Sequence, residues 1–163
     1  MSDLQRYGII EGETPSQEKS IYSLALIYNV CHNELTSFLR PYQLTPGKLN
    51  ILVAIRFHGG KAGLSQVEVS KHLIVTPSNM TKLIDKLEGE GFVVRSACEG
   101  DRRVNVVKVT KKAEELLDRL WGLYIEKLHK FMEPLSKKEQ DALAALLVKW
   151  RSEERRVGKS VPS

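Results

Sequence analysis

The chain has 163 residues, 42% of them hydrophobic and 28% charged, with a net charge of +5. This suits one soluble domain with a buried core, and the positive balance agrees with an anionic partner without naming it. Two cysteines, Cys31 and Cys98, exclude a disulfide framework and fit a reducing compartment. The longest purely apolar run, Ile51 to Ile55, is far too short to cross a bilayer. No basic patch followed by a long apolar run opens the chain, so no signal peptide is expected and the protein is placed in the cytoplasm.

Residues Met1 to Pro15 show little periodicity and read as an irregular arm. Ser16 is expected to cap a long helix to about Leu39, with Ile21, Leu24, Tyr28, Cys31, Leu35 and Phe38 recurring in steps of three and four. Pro41 ends it. Thr45-Pro46 pairs a capping hydroxyl with a first-turn proline and starts a second helix. Its residues Leu49, Leu52, Val53, Ile55 and Phe57 make it central core, and Gly59 is its expected left-handed cap. Lys61 to Leu64 is expected to form a short strand.

The informative stretch runs from Leu64 to Thr110. Ser65 and Glu68 have the spacing of a capping box, which opens a short helix with Val67, Val69 and Leu73 inward. It should stop near His72–Leu73. Thr76 and Pro77 then cap and start a further helix to about Glu90, with Met80, Leu83, Ile84 and Leu87 on one face. Ser78, Lys82, Asp85 and Gly89, flanked by Asn79, Thr81 and Lys86, occupy the other. Short polar side chains and lysines near a helix N-terminus can approach phosphates and base edges. After Gly91 the period changes from helix to strand. Phe92 to Cys98 and Val104 to Val109 read as a hairpin around Glu99-Gly100-Asp101, with Arg102 and Arg103 at or just beyond its turn. Two helices followed by an arginine-tipped ribbon describe a winged helix-turn-helix.

Thr110 is expected to cap a helix to about Met132 that buries Ala113, Leu116, Leu117, Leu120, Tyr124, Leu128 and Phe131. Pro134 breaks it. Ser136 and Glu139 repeat the capping-box spacing ahead of a last helix carrying Leu143, Leu146, Leu147 and Trp150. Apolar faces on the first and last two helices exceed the needs of one chain, and a two-fold partner would bury them.

The run resembles the DNA-binding lobe of the MarR family of transcriptional regulators. The matching pieces are LSQVEVSKHL, then TPSNMTKLIDKLEGEGFVVR as recognition helix entering the wing, then DRRVNVVKVT with its Asp-Arg-Arg and closing threonine. The resemblance implies a mainly α fold with a small β wing: a winged helix-turn-helix DNA-binding lobe over 45–110 plus helical dimerisation segments at 16–40 and 111–151. These form a single domain over 1–163, with a flexible tail at 152–163. It also implies a cytoplasmic homodimer on a pseudo-palindromic double-stranded DNA operator, usually a repressor released by a small ligand or by oxidation. In similar proteins phenolic or other small aromatic ligands bind between the dimerisation helices and the lobe. Here Tyr28, His32, Phe57, His58 and residues 121–124 are available to line such a cleft.

The residues expected to meet DNA are Thr76, Ser78, Asn79, Thr81, Lys82 and Lys86, together with Arg102 and Arg103 on the wing. Asp85 is read as a structural ion pair with a wing arginine, and Asp101 as a brace for Arg102 or Arg103 or as a turn former. His32, His58, His72 and His129 lack metal-ligand spacing, so no metal is expected and structural roles are assigned to them. No cofactor is expected, and no catalytic motif of a familiar enzyme class is present. Three alternatives stay open: redox sensing through Cys31 or Cys98, a winged-helix module that binds another protein without specific DNA reading, and a nonspecific architectural DNA binder.

Overall fold

The computed structural model describes residues 3–10, 12–73, 77–98 and 101–157. The order is a 3-10 turn Asp3–Tyr7, α1 Ser16–Leu39, a 3-10 turn Arg40–Tyr42, α2 Pro46–Ala54, a π-helical turn Ile55–Gly59, β1 Leu64–Ser65, α3 Gln66–Lys71, α4 Pro77–Gly89, β2 Val93–Cys98, β3 Asp101–Val109, α5 Lys111–Met132 and α6 Lys137–Val157. The protein is mainly α with one small antiparallel sheet, ordered β1-β3-β2. The chain divides into two compact units, Met1–Trp121 and Gly122–Ser163. The helix-turn-helix and wing lie in the first, together with α1.

Local chemistry sets most boundaries. Thr45 accepts from the Lys48 N–H at 3.3 Å with Pro46 behind it, so α2 starts where expected. The Ser65–Glu68 box is formed in both directions, at 3.2 and 2.8 Å. Ser136 and Glu139 repeat it before α6, at 3.4 and 2.8 Å. The Thr110 hydroxyl donates to the Gly91 carbonyl at 2.8 Å and accepts from the Ala113 N–H at 3.3 Å, which joins the end of the wing to the start of α5. At the end of α4, Gly91 (φ +74) forms a left-handed cap: its N–H donates to Glu88 and that of Phe92 to Leu87.

Several expectations need correction. Ser16 is the first residue of α1, and Pro15 stands at its cap without a side-chain bond. The second helix gives way at Ile55 to a five-residue π-turn. The wider turn changes the phase, so Phe57 is 64% exposed rather than core, and the left-handed glycine is Gly60 (φ +49) instead of Gly59. The strand expected at 61–64 is Leu64–Ser65, paired with Val107 and Val106. Gly63 (φ +81) precedes it, and a Cβ there would lie 2.7 Å from the Val107 carbonyl oxygen. Val67 is 67% exposed, and Val69 alone of the short helix's valines is buried. The last helix continues to Val157, past the boundary expected at 151.

The core of the first unit joins Leu49, Ile51, Leu52 and Ile55 to Met80, Ile84 and Leu87 of α4 and to Leu117 and Leu120 of α5, all essentially inaccessible. One charge is buried among them. Lys48 is 3% exposed, and its ammonium donates to both Glu90 carboxylate oxygens at 2.6 Å and to the Gln43 carbonyl at 3.0 Å. Removing one member of a buried, hydrogen-bonded pair leaves the other unsatisfied. Lys48→Met is therefore expected to lower unfolding free energy by about 3 kcal/mol in urea titration, at the low end of the usual range because Glu90 keeps 23% exposure.

The hydrogen bonds from the Ser65 and Ser136 side chains, then from their backbone N–H groups, hold the Glu68 and Glu139 carboxyls below the ordinary carboxylate value. Groups whose pKa is lowered by folding stabilise the fold above the unfolded pKa, and that stability is lost as pH falls through the folded value. Ser65→Ala is therefore expected to lower the urea midpoint at neutral pH and to lower it progressively less as pH falls below the carboxylate range.

Candidate nucleic-acid interface

The α4 helix separates its residues cleanly. Met80, Ile84 and Leu87 are buried, whereas Asn79, Thr81, Lys82, Asp85 and Lys86 are exposed on the remaining surface. Of the eight residues expected to meet DNA, the structure places Asn79, Thr81, Lys82 and Lys86 together along this outer face. Ser78 lies in the first turn of the same helix, and Arg102 and Arg103 lie at the start of β3. The side chains of these three, like Thr76 as a whole, fall outside the described residues. So do the brace expected of Asp101 and any exposure of Cys98. Cys31 is a free thiol, half-buried on α1.

Two contacts set the position of the helix. The Gln66 amide on α3 donates to the Thr81 hydroxyl at 2.5 Å, tying the two helices of the helix-turn-helix. On the wing side, Arg95 of β2 pairs with Asp85 and Glu88, and the Glu88 carboxylate also accepts the Arg95 backbone N–H at 3.1 Å. Asp85 thus has the structural ion pair expected of it. The bond to Asp85 raises the guanidinium pKa further, against partial desolvation and with help from Glu88.

These pairings reduce the positive charge available around the wing. Arg95 is neutralised. Lys112 donates to the Glu90 carbonyl at 2.7 Å and sits over the Phe92 ring at 4.5 Å, and Lys111 is 3.8 Å from Glu115. By contrast, neither Lys82 nor Lys86 has an ion-pair partner among the described residues. The outer face of α4 therefore combines two available cations with short hydrogen-bonding side chains, a surface suited to phosphates and base edges.

Sequence reasoning missed Gln66 and Lys48. Lys48 did carry a signal, as the one charge in the otherwise apolar or small stretch PGKLNILVA. It also missed a second feature of the π-turn. Arg56 pairs with Asp118 of α5 at 2.5 Å, and Phe57 meets Trp121 with ring centroids 5.9 Å apart. With Val53 and Leu117 these four residues line a cleft of about 180 Å³. Phe57 and Trp121 were expected at such a cleft, whereas Tyr28 and His32 stack on each other along α1, 5.6 Å apart. His58 is found against His72, ring centroids 3.9 Å apart and planes within 6°. Among the described residues no group of three or more His, Cys, Asp or Glu is arranged to hold a metal ion, and no helix is long and apolar enough to cross a membrane.

Since Arg95 is committed to two carboxylates, it should orient the wing without neutralising a phosphate. Arg95→Gln is expected to weaken DNA binding while leaving the slope of log affinity against log salt unchanged. A phosphate-contacting cation would instead reduce that slope by about one. Anisotropy titrations across a salt series measure both quantities.

Comparison with known proteins agrees with this geometry. Residues 44–104 match the MarR family model. The HTH-type transcriptional regulator PecS of Dickeya dadantii is 27% identical over 127 residues, covering 78% of this chain and 76% of PecS. The fold is similar to that of MepR from S. aureus, solved as a DNA complex, with a TM-score of 0.75 and 20% identity over 86% of this chain and 99% of that one. It is equally similar to BpsR of Bordetella bronchiseptica, whose structure concerns regulation of DNA binding by 6-hydroxynicotinic acid, with a TM-score of 0.76 and 21% identity over 86% and 98%. Residues 44–104, the stretch that holds α3 and α4, are therefore similar to the MarR family.

Proposed function

We propose that the protein is a cytoplasmic homodimeric repressor that binds a pseudo-palindromic operator and is released from it by a small phenolic-type compound. The observation that carries the reading is the outer face of α4, where Asn79, Thr81, Lys82 and Lys86 stand exposed opposite the buried Met80, Ile84 and Leu87. In this reading α4 enters the major groove. Asn79 and Ser78 are short enough to meet base edges, Lys82 meets a base or a phosphate, and Thr76 and Lys86 hold the backbone. Arg102 and Arg103 bring the wing to the flanking phosphates or minor groove.

A second chain is supported by apolar residues left in water. On α1, Ile21, Leu24, Ile27 and Tyr28 are exposed; on α6, Leu143, Leu146, Leu147 and Trp150 are. A two-fold dimer that covers such faces would also set two recognition helices about 10 base pairs apart. The effector is supported by the cleft between Phe57 and Trp121, which offers ring edges to an aromatic compound and the Arg56 guanidinium to its polar group. The DNA binding of BpsR is regulated by 6-hydroxynicotinic acid.

The test is selection of bound duplexes from random-sequence DNA, followed by titration of the selected site with two variants. Lys82→Ala is expected to weaken binding by about 1–3 kcal/mol if it contacts a base. Arg103→Ala should reduce the salt slope by about one. Full affinity in both variants would remove these residues from the interface, and failure to enrich any sequence would favour the protein-binding alternative.

A further inference from the structure

Resting on the reading above, we propose that the π-turn Ile55–Gly59 is a two-position switch that passes the state of the Phe57–Trp121 cleft to the helix-turn-helix through the stacked rings of His58 and His72. Three consecutive side chains of this turn are each held by a different group. Arg56 is paired with Asp118, Phe57 lies against Trp121, and His58 lies flat on His72. The first two partners belong to α5 and border the cleft. The third caps the C-terminal end of α3.

The turn has a neighbouring alternative register. At its start the Ile55 N–H still reaches the Ile51 carbonyl four residues back, and also the Leu52 carbonyl, so α-helical bonding runs up to the edge of the wider turn. Sliding the π-turn back to an α-helical register removes one residue from the turn and rotates the side chains beyond it by roughly 100°. That rotation takes Phe57 away from Trp121 and His58 off His72 in one step. Gly60 follows with φ +49, a position that allows the chain to change direction. A compound that occupies the cleft in place of the Phe57 ring would favour the second register, which supplies the differential affinity a switch requires.

The effect then reaches the recognition helix along short, rigid connections. The α3 helix has only six residues, so movement at His72 moves the whole helix. Its other end carries Gln66, bonded to Thr81 on the outer face of α4. His72 and His58 are thus positioning residues, acting on DNA through α3.

The experiment is amide hydrogen exchange on the full chain with neither DNA nor effector present. Phe57→Ala removes the ring contact with Trp121, and His58→Ala removes the stack; both residues are exposed, so the core is left whole. Val53→Ala alters the same cleft from α2, outside the turn. The switch predicts that exchange across residues 66–72 accelerates about tenfold in Phe57→Ala and in His58→Ala and stays within about twofold of the parent in Val53→Ala. Unchanged exchange in Phe57→Ala, or equal acceleration in Val53→Ala, overturns it. A negative result here leaves the repressor reading standing, since that reading fails only in the DNA titrations.

Discussion

The ammonium of Lys48 is almost completely withdrawn from water, and the rest of the lobe is arranged around the oxygens that compensate it. A charge in that position is tolerable only if its partners are fixed. Glu90 supplies two of the three oxygens, and it is the residue at which the recognition helix gives way to the wing. Its carbonyl accepts from Lys112 of α5, and the adjacent Gly91 carbonyl accepts from Thr110. Helix α2, the end of α4, the root of the sheet and the start of α5 therefore meet at one polar knot. Buried leucines, isoleucines and Met80 surround it. The apolar core supplies the bulk of the stabilisation, but it is indifferent to small rotations of α4. The knot and the Arg95 pair with Asp85 and Glu88 are directional, and they fix which face of α4 looks outward.

That outward face is where the fold becomes a function. A helix with Met80, Ile84 and Leu87 buried must present its other residues to solvent, and here these include asparagine, threonine, an aspartate held by Arg95 and two lysines without an ion-pair partner among the described residues. Much of the basic character near the wing is structural: Arg95 and Lys112 hold the lobe together. Net charge alone would have counted them toward an anionic partner. On the outer face of α4, Lys82 and Lys86 are the cations without an ion-pair partner among the described residues.

The parts of this molecule that were legible in the sequence are those governed by local chemistry. Ser65 with Glu68, Ser136 with Glu139, Thr45 with Pro46, and Thr110 each satisfy backbone groups within a few residues, so spacing alone locates them. The α4 stripe was legible for the same reason, as was an ion pair for Asp85. Features that depend on distant partners were not. Nothing local indicates that Lys48 meets Glu90, or that His58 lies on His72. The π-turn is a more instructive miss. Phe57 continues an apolar pattern that reads as core at 3.6 residues per turn, and an added residue in the turn carries it to the surface. Gly60, rather than Gly59, takes the positive φ as a consequence. The apolar stripes of α1 and α6 were visible, but a stripe does not say whether its own chain or a second one covers it.

The account rests on α4 reading a DNA sequence rather than merely a charge. The most direct measurement is a fluorescence-anisotropy titration at physiological salt, comparing DNA from immediately upstream of the protein's own gene with selected high-affinity duplexes and with scrambled duplexes of equal length. The account predicts that at least one native or selected sequence binds about a thousandfold more tightly than its scramble. Equal affinity for every duplex, falling in parallel as salt rises, would contradict it and reduce the α4 surface to a patch of positive charge.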